Sequence, residues 1–172
     1  MEIKRLVEFL SEKERFALVL RGINGSGKTR LCSQIEASFT EQGKKIVRIS
    51  VDNYFSRGGK YLFDATRLNQ AYDETFNQFL DSLDDPDIDL ILVDNPNIRT
   101  HEISPYVTCA SAFGVMNGVV TVHCDPQIAC LRHGKKIQDS KIVDMHRELL
   151  AQEFPSRWHR FEVFNGATGS LL

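Results

Sequence analysis

Residues 16–29 constrain this chain more than any other stretch. Six mostly apolar residues, Phe16–Arg21, are typical of a buried strand, and they run directly into GINGSGKT at 22–29. Helical spacing of apolar residues then begins at Leu31. A strand, the pattern G-x-x-x-x-G-K-[ST] and a helix, in this order, predict a phosphate-binding loop. We therefore expect the chain to bind a nucleoside triphosphate.

The composition of the loop explains how it would do so. Glycines allow the backbone to turn tightly and approach an anion, and the N-terminus of the following helix adds its positive end. Lys28 would reach the β- and γ-phosphates, and the Thr29 hydroxyl would bind Mg²⁺. The predicted nucleotide-binding residues are Gly22, Asn24, Gly25, Ser26, Gly27, Lys28 and Thr29.

Length and composition limit the alternatives. The 172 residues, 42% hydrophobic and 26% charged, indicate one globular domain over residues 1–172. The net charge of −2 gives no overall attraction to polyanions, so a contact with nucleic acid would need a local basic patch. The four cysteines are too widely spaced for a zinc site or a disulfide frame, and we expect buried thiols. The charged N-terminal segment and the lack of a long apolar run predict a cytoplasmic protein without a membrane segment.

Helical and strand patterns alternate along the chain, which predicts a parallel sheet covered on both faces by helices. The clearest helical stripe follows Asp64, and we expect Tyr72 and the phenylalanines of that stripe to lie in the core. The predicted strands are 16–21, 46–51, 88–93, 118–124 and 158–164, and the predicted helices are 2–14, 31–42, 65–83, one containing Pro105 and ending near 113, 126–133 and 139–153.

Two aspartates end predicted strands, where parallel sheets place their ligands. Asp94 follows LILV, as expected of a carboxylate that binds Mg²⁺ beside a phosphate loop. Asp52 follows the second strand, and in a phosphotransferase it could accept the proton of an attacking hydroxyl. A helix cap or a solvated loop charge is an equally good interpretation of Asp52.

A basic cluster lies between two predicted helices, within residues 132–140. Arg132, Lys135 and Lys136 would stabilise the charge of a transferring phosphoryl group if this segment closed as a lid. A solvated basic turn is the alternative.

Four further segments accompany GINGSGKT: SVDNYF at 50–55, YLFDATRLNQAY at 61–72, LVDNPNIRTHEISPY at 92–106 and RHGKKIQDSKIVDM at 132–145. In this order they resemble the segments of polynucleotide-kinase-like P-loop kinases, which carry D-D-Y-F, Y-x-F-D-x-x-x-L-x-x-A, V-D-N-T-N and E-x-x-P-Y patterns. The resemblance covers roughly residues 16–163.

This resemblance implies an ATP- and Mg²⁺-dependent kinase that phosphorylates a hydroxyl, with Asp52 as general base. It also implies the P-loop kinase fold, a three-layer α/β sandwich with a five-stranded parallel sheet of order 2-3-1-4-5. The candidate acceptor-binding residues are Asp52, Arg57, Asn97 and Arg99, with Lys60 as a further cation.

The chain departs from the family pattern mainly on the acceptor side. Asn53 stands where a second aspartate is usual, and Pro96 where D-N-T-N has threonine. Phe55 occupies the place of an arginine in the bacteriophage-type enzyme, and Arg57 lies two residues further on. The lid also lacks the N-x-H-G-V-P sequence.

The sequence therefore leaves four hypotheses. The first is a kinase for the 5′-hydroxyl of a DNA or RNA end. The second is a kinase for a small hydroxylated molecule, such as a nucleoside, a modified base, an antibiotic or a sugar nucleotide. An ATP-binding switch module and a degenerate, non-catalytic kinase are the remaining two, and the oligomeric state stays open.

Overall fold

The computed structural model of the chain describes residues 1–56, 61–133 and 137–165. The five strands are β1 (Phe16–Arg21), β2 (Ile46–Ile49), β3 (Leu90–Val93), β4 (Met116–Cys124) and β5 (Arg160–Asn165). The helices are α1 (Ile3–Ser11), α2 (Lys28–Glu41), α3 (Val51–Phe55), α4 (Leu68–Asp84), α5 (Thr100–Ala112), α6 (Pro126–His133) and α7 (Asp139–Ala151), and a 3₁₀ turn spans Ala65–Arg67.

All four strand pairings are parallel, and the order across the sheet is β2-β3-β1-β4-β5. The predicted fold class and strand order are therefore confirmed. Because every strand runs in the same direction, the loops that carry the predicted site residues leave the sheet at one edge.

Alternation along β1 explains the three layers. Phe16, Leu18 and Leu20 pack with α1 and α2 on one face, whereas Ala17 and Val19 pack with α4 and α5 on the other. Successive strand residues point to opposite faces, so a strand buried on both sides is apolar throughout. This arrangement buries the sheet in two separate cores.

The second strand is shorter than predicted. It ends at Ile49, and Val51 begins the short helix α3 instead of continuing the strand. The Ser50 side chain accepts a hydrogen bond from the Asp52 N–H and caps this helix. The sequence predicted a strand at this point because Val51 is a β-branched residue. Asp52 consequently lies in the first turn of a helix, immediately after the strand.

The prediction that Tyr72 is a core residue is wrong. Its side chain is 41% exposed, whereas Ala71, Thr75 and Phe79 on the same helix are buried. The four cysteines are free, but only Cys32 and Cys124 are buried as predicted. Among the described residues, no helix is both long and apolar enough to span a membrane.

Candidate active site

The phosphate loop joins β1 to α2 and packs against two neighbouring segments. The Gly22 N–H donates to the Pro96 carbonyl at 2.9 Å, and Gly25 lies against the backbone of Ala129 in α6. Gly25 has φ +82°, and a Cβ there would lie 2.3 Å from the Ala129 carbonyl oxygen. Backbone conformation and close packing therefore both require glycine at position 25.

Lys28 is buried at the start of α2. Its Nζ donates to the carbonyls of Gly22 and Ile23 at 2.8 and 3.0 Å, and so it closes the loop on itself. Burial lowers the pKa of Lys28 to about 8, although the charges of Asp94 and Asp52 act in the opposite direction. Both predicted carboxylates are thus close enough to interact with the lysine that would bind phosphate.

A cavity of about 470 Å³ opens beside the loop, a size typical of small-ligand sites. The predicted site residues that line it are Gly25, Gly27, Lys28, Thr29 and Arg132. Three further lining residues, Arg30, Ser33 and Asn165, were not indicated by the sequence. Arg132 is the residue of the predicted lid that the structure brings to this cavity. Its guanidinium contacts the Cys124 Sγ at 3.9 Å.

Asn165, at the end of β5, is a contributor that the sequence did not reveal. Its amide is buried and donates to the Ser26 carbonyl at 2.7 Å. The Ser26 hydroxyl itself is buried and has no hydrogen-bond partner among the described residues. In the sequence, the only indication of a role for Asn165 is that it directly follows the predicted strand 158–164.

Asp94 lies at the end of β3 and connects the loop to β2. Its Oδ2 accepts hydrogen bonds from the Thr29 hydroxyl at 3.3 Å and from Arg48 Nε and Nη2 at 3.1 and 2.5 Å. Arg48 also lies 3.5 Å from Glu36. The sequence did not indicate Arg48, although a charged residue between Val47 and Ile49 of a strand needs a partner.

Thr29 and Asp94 fit the predicted magnesium site. They place a hydroxyl and a carboxylate oxygen 3.3 Å apart beside the loop, and hard oxygen donors are what Mg²⁺ prefers. Arg48 forms an ion pair with the buried Asp94 carboxylate and compensates its charge.

Asp52 is exposed, and its Oδ1 accepts a hydrogen bond from the Tyr61 hydroxyl at 3.1 Å. The exposed position leaves this carboxylate accessible to a ligand, and its role as general base stays a prediction.

Two predicted acceptor residues are engaged in structural contacts. The Asn97 amide is buried and donates to the Leu20 carbonyl at 2.7 Å, which favours a role in holding the loop after β3. Arg99 is half exposed, and its Nε pairs with Glu148 of α7 at 2.5 Å. Arg57, Lys60, Lys135 and Lys136 lie outside the described residues, and their assignments stay predictions.

A second cavity lies elsewhere. It has about 540 Å³ and is lined by residues near the start of β4, among them Met116, Asn117 and Trp158. None of the predicted site residues lines it. Since β4 is parallel to β1, this cavity is at the opposite edge of the sheet from the phosphate loop.

Comparisons with known proteins identify the family and the fold of the chain. The model of the family described as "AAA domain" matches residues 18–153. Human NEDD4-binding protein 2 is 33% identical over 90 residues, which cover 52% of this chain and 5% of that protein. The chain thus spans a small fraction of that relative's length.

Solved structures share the fold. The structure of the Pnkp1/Rnl/Hen1 RNA repair complex superposes with a TM-score of 0.60 at 18% identity, over 79% of this chain and 44% of that one. The Mycobacterium tuberculosis APS kinase CysC in complex with AMPPNP and APS gives a TM-score of 0.56 at 14% identity, over 88% of each chain. The similarity to P-loop kinases that the sequence indicates is confirmed at the level of fold.

Gly25→Ala should destabilise the protein much more than Gly43→Ala. Both glycines have positive φ, but only Gly25 is packed against backbone, whereas nothing lies within 4 Å of a Cβ at Gly43. Strain and overlap should cost ~3 kcal/mol or more at Gly25, against ~1 kcal/mol at Gly43. Urea unfolding of the two variants measures the difference, and equal losses would contradict the packing described for the loop.

Affinity for a nucleoside triphosphate should fall as the pH rises through the pKa of Lys28, about 8. Below that pH the side chain is an ammonium that attracts phosphate, and above it the amine is neutral. Bound phosphates raise the pKa of the lysine, so the loss should begin near pH 8 and approach tenfold per pH unit. Calorimetric titration between pH 7.5 and 9.5 tests this, with Lys28→Met as the control in which the pH dependence disappears.

Arg48→Met should lower the free energy of unfolding by ~1–3 kcal/mol, because it leaves the buried Asp94 without its main partner. Arg147→Met is the matched control, since Arg147 is 76% exposed and pairs with Asp144 on its own helix. Mg²⁺ with nucleotide should recover part of the loss by supplying positive charge to Asp94. If the Arg48→Met and Arg147→Met proteins have the same free energy of unfolding, the Arg48–Asp94 pair does not contribute to stability.

Proposed function

Because the chain belongs to the AAA domain family and has the fold of P-loop kinases, we propose that it is an ATP-dependent kinase that phosphorylates a hydroxyl group. The observation that carries this proposal is the position of two carboxylates around Lys28. Asp94 is bound to Thr29 of the loop, and Asp52 stands exposed beside it. In this proposal Asp94 binds the metal ion, and Asp52 accepts the proton of the acceptor hydroxyl.

The donor nucleotide occupies the cavity beside the loop. Loop N–H groups and the Lys28 ammonium bind the β- and γ-phosphates, which displaces Lys28 from the carbonyls that it contacts. Thr29 and Asp94 would hold Mg²⁺, which would neutralise phosphate charge. Arg132, on the wall of the same cavity, provides a cation for the charge that spreads over the transferring group.

The acceptor approaches Asp52. Its hydroxyl proton passes to the second carboxylate oxygen of Asp52 while its oxygen bonds to the γ-phosphorus. The bond from that phosphorus to the β–γ bridging oxygen breaks, and ADP leaves with the electron pair. Tyr61, which donates to Oδ1, fixes the orientation of the carboxylate during this step.

We favour the 5′-hydroxyl of a DNA or RNA end as acceptor. The family-like segments around Asp52 and Asp94 support it, as does the structural similarity to a component of an RNA repair complex. Arg57, Lys60 and Arg99 would contact phosphates beyond the first nucleotide. For Arg99, this requires exchanging Glu148 for a phosphate.

A small nucleotide or another hydroxylated small molecule is the second candidate. The similarity to an APS kinase over 88% of each chain favours it, as does a net charge of −2. An ATP-binding switch without transfer is the third candidate, and the exposed Asp52 beside the loop argues against it.

Incubation with γ-labelled ATP and a panel of hydroxyl acceptors tests the proposal. A 5′-hydroxyl oligonucleotide should be labelled better than the matching nucleoside 3′-monophosphate. For each phosphate that the protein contacts, the affinity advantage of the oligonucleotide should fall by ~0.7 log unit per tenfold rise in salt concentration. Arg99→Ala should reduce it further, whereas Arg5→Ala, an exposed change on α1, should not. Equal turnover of a small acceptor without salt dependence would establish the second candidate.

Asp52→Asn should lower the transfer rate by ~10²–10⁴ while leaving the affinity for ATP nearly unchanged, because the amide keeps the shape but cannot accept a proton. Asp87→Asn, in an exposed turn before β3, is the control. A fully active Asp52→Asn protein would remove Asp52 from the mechanism.

A further inference from the structure

Three exposed aromatic side chains lie on segments next to the proposed general base. Tyr61, Phe63 and Tyr72, here called the aromatic face, are 55%, 56% and 41% exposed. Leu62 between the first two is 70% exposed. Large apolar side chains are scattered singly on most surfaces, whereas several close together, as at Tyr61, Leu62 and Phe63, indicate a candidate binding site.

The aromatic face rests on a buried support. The ring of Phe55, which is 4% exposed, lies 5.1 Å from the ring of Phe63 and 6.4 Å from that of Tyr61, measured between centroids. The Leu62 N–H donates to the Phe55 carbonyl at 2.8 Å, and Asp64 caps the turn that follows. The exposed rings are therefore held in place before any ligand arrives.

Contacts with Asp52 fix where this surface lies. The Tyr61 hydroxyl donates to Asp52 Oδ1 at 3.1 Å. Tyr72 belongs to the same region, because its neighbour Ala71 packs with Val51 and Phe55 of α3, the helix that carries Asp52. Burial, and then the negative charges of Glu102 and Asp52, raise the pKa of Tyr72. A molecule whose hydroxyl reaches Asp52 must therefore pass over or lie against the aromatic face.

We propose that the aromatic face stacks the nucleobase of the nucleotide whose hydroxyl is phosphorylated. This inference rests on the proposed function and narrows its acceptor to molecules that carry a base. A base presents a flat π-surface of the size of these rings, and its sugar carries a hydroxyl within reach of Asp52. Stacking of this kind tolerates every base, as an enzyme acting on chain ends of any sequence requires.

A nucleobase suits the surface better than a protein partner does. A docked protein, or a second copy of the chain, would cover Asp52 and exclude the acceptor from it. The hydroxyls of Tyr61 and Tyr72 also place polar groups beside the rings, where a nucleoside offers hydrogen-bonding partners. The occupant is thus expected to arrive with the acceptor and leave with the product.

The test measures binding and transfer separately. The Asp52→Asn protein, which binds acceptor without consuming it, is titrated with an oligonucleotide carrying 2-aminopurine at its 5′-hydroxyl end. Stacking should quench the fluorescence of this base, and Phe63→Ala should weaken binding about tenfold. Phe113→Ala is the matched control, because Phe113 is 46% exposed but lies at the far end of α5. Tyr61→Phe should keep the affinity and lower the transfer rate, since it retains the ring and loses the hydroxyl.

An oligonucleotide whose 5′-terminal nucleotide lacks a base gives an independent measurement on the unmodified protein. It should be phosphorylated with a KM about tenfold higher, and Phe63→Ala should add no further loss with this acceptor. If the abasic and complete acceptors are equally good, the stacking proposal is wrong while the kinase proposal stands. If no hydroxyl acceptor is labelled at all, both are wrong. If Phe63→Ala instead changes the sedimentation coefficient of the protein and leaves acceptor binding unchanged, the aromatic face is an interface between copies of the chain.

Discussion

One buried carboxylate connects the parts of this site. Asp94 receives hydrogen bonds from Thr29 at the start of α2 and from Arg48 in β2, while it terminates β3 itself. Burying a carboxylate that is only 5% exposed costs several kcal/mol unless such partners are present. Because Asp94 needs both partners, its hydrogen bonds with Thr29 and Arg48 hold the phosphate loop next to the second strand. Asp52 is the third residue after that strand, so its backbone position follows from that of β2.

The sequence was informative where local patterns act alone. The phosphate loop, the proline that opens α6 and the apolar stripes of α2 and α4 each carry their own signal, and the elements appear close to the predicted positions. Strand order followed from the resemblance to a family, since no residue pattern states which strands are neighbours. The assignments of the site residues stay predictions, although the structure gathers Lys28, Thr29, Asp94 and Arg132 around one cavity or loop.

Predictions failed where a cap or a tertiary contact overrules the apolar pattern. Val51 continues an apolar strand pattern, but the Ser50 cap and the hydrogen bond from the Val51 N–H to Asn95 start a helix there, and Asp52 in this helix is exposed. Tyr72 has core spacing on α4, yet in the first turns of that helix Ala71 packs on α3 while the Tyr72 side chain stays exposed. Arg48 and Asn165 gave almost no signal, because their importance depends on partners 46 and 139 residues away.

The two halves of the site differ in a way that bears on the acceptor. The donor side is buried, polar and tied by hydrogen bonds to one arrangement, as binding a triphosphate demands. On the acceptor side, the described residues present exposed rings around one carboxylate, and the cation Arg99 is already paired with Glu148. With a net charge of −2, long-range attraction to a polyanion is weak, so a nucleic-acid end would need a short-range interaction to be held. Stacking on a rigid aromatic surface is such an interaction, and unlike phosphate contacts it does not weaken steeply with salt. Stacking of the terminal base, added to the proposed phosphate contacts, would therefore help a chain of near-neutral charge to hold the proposed polyanionic acceptor.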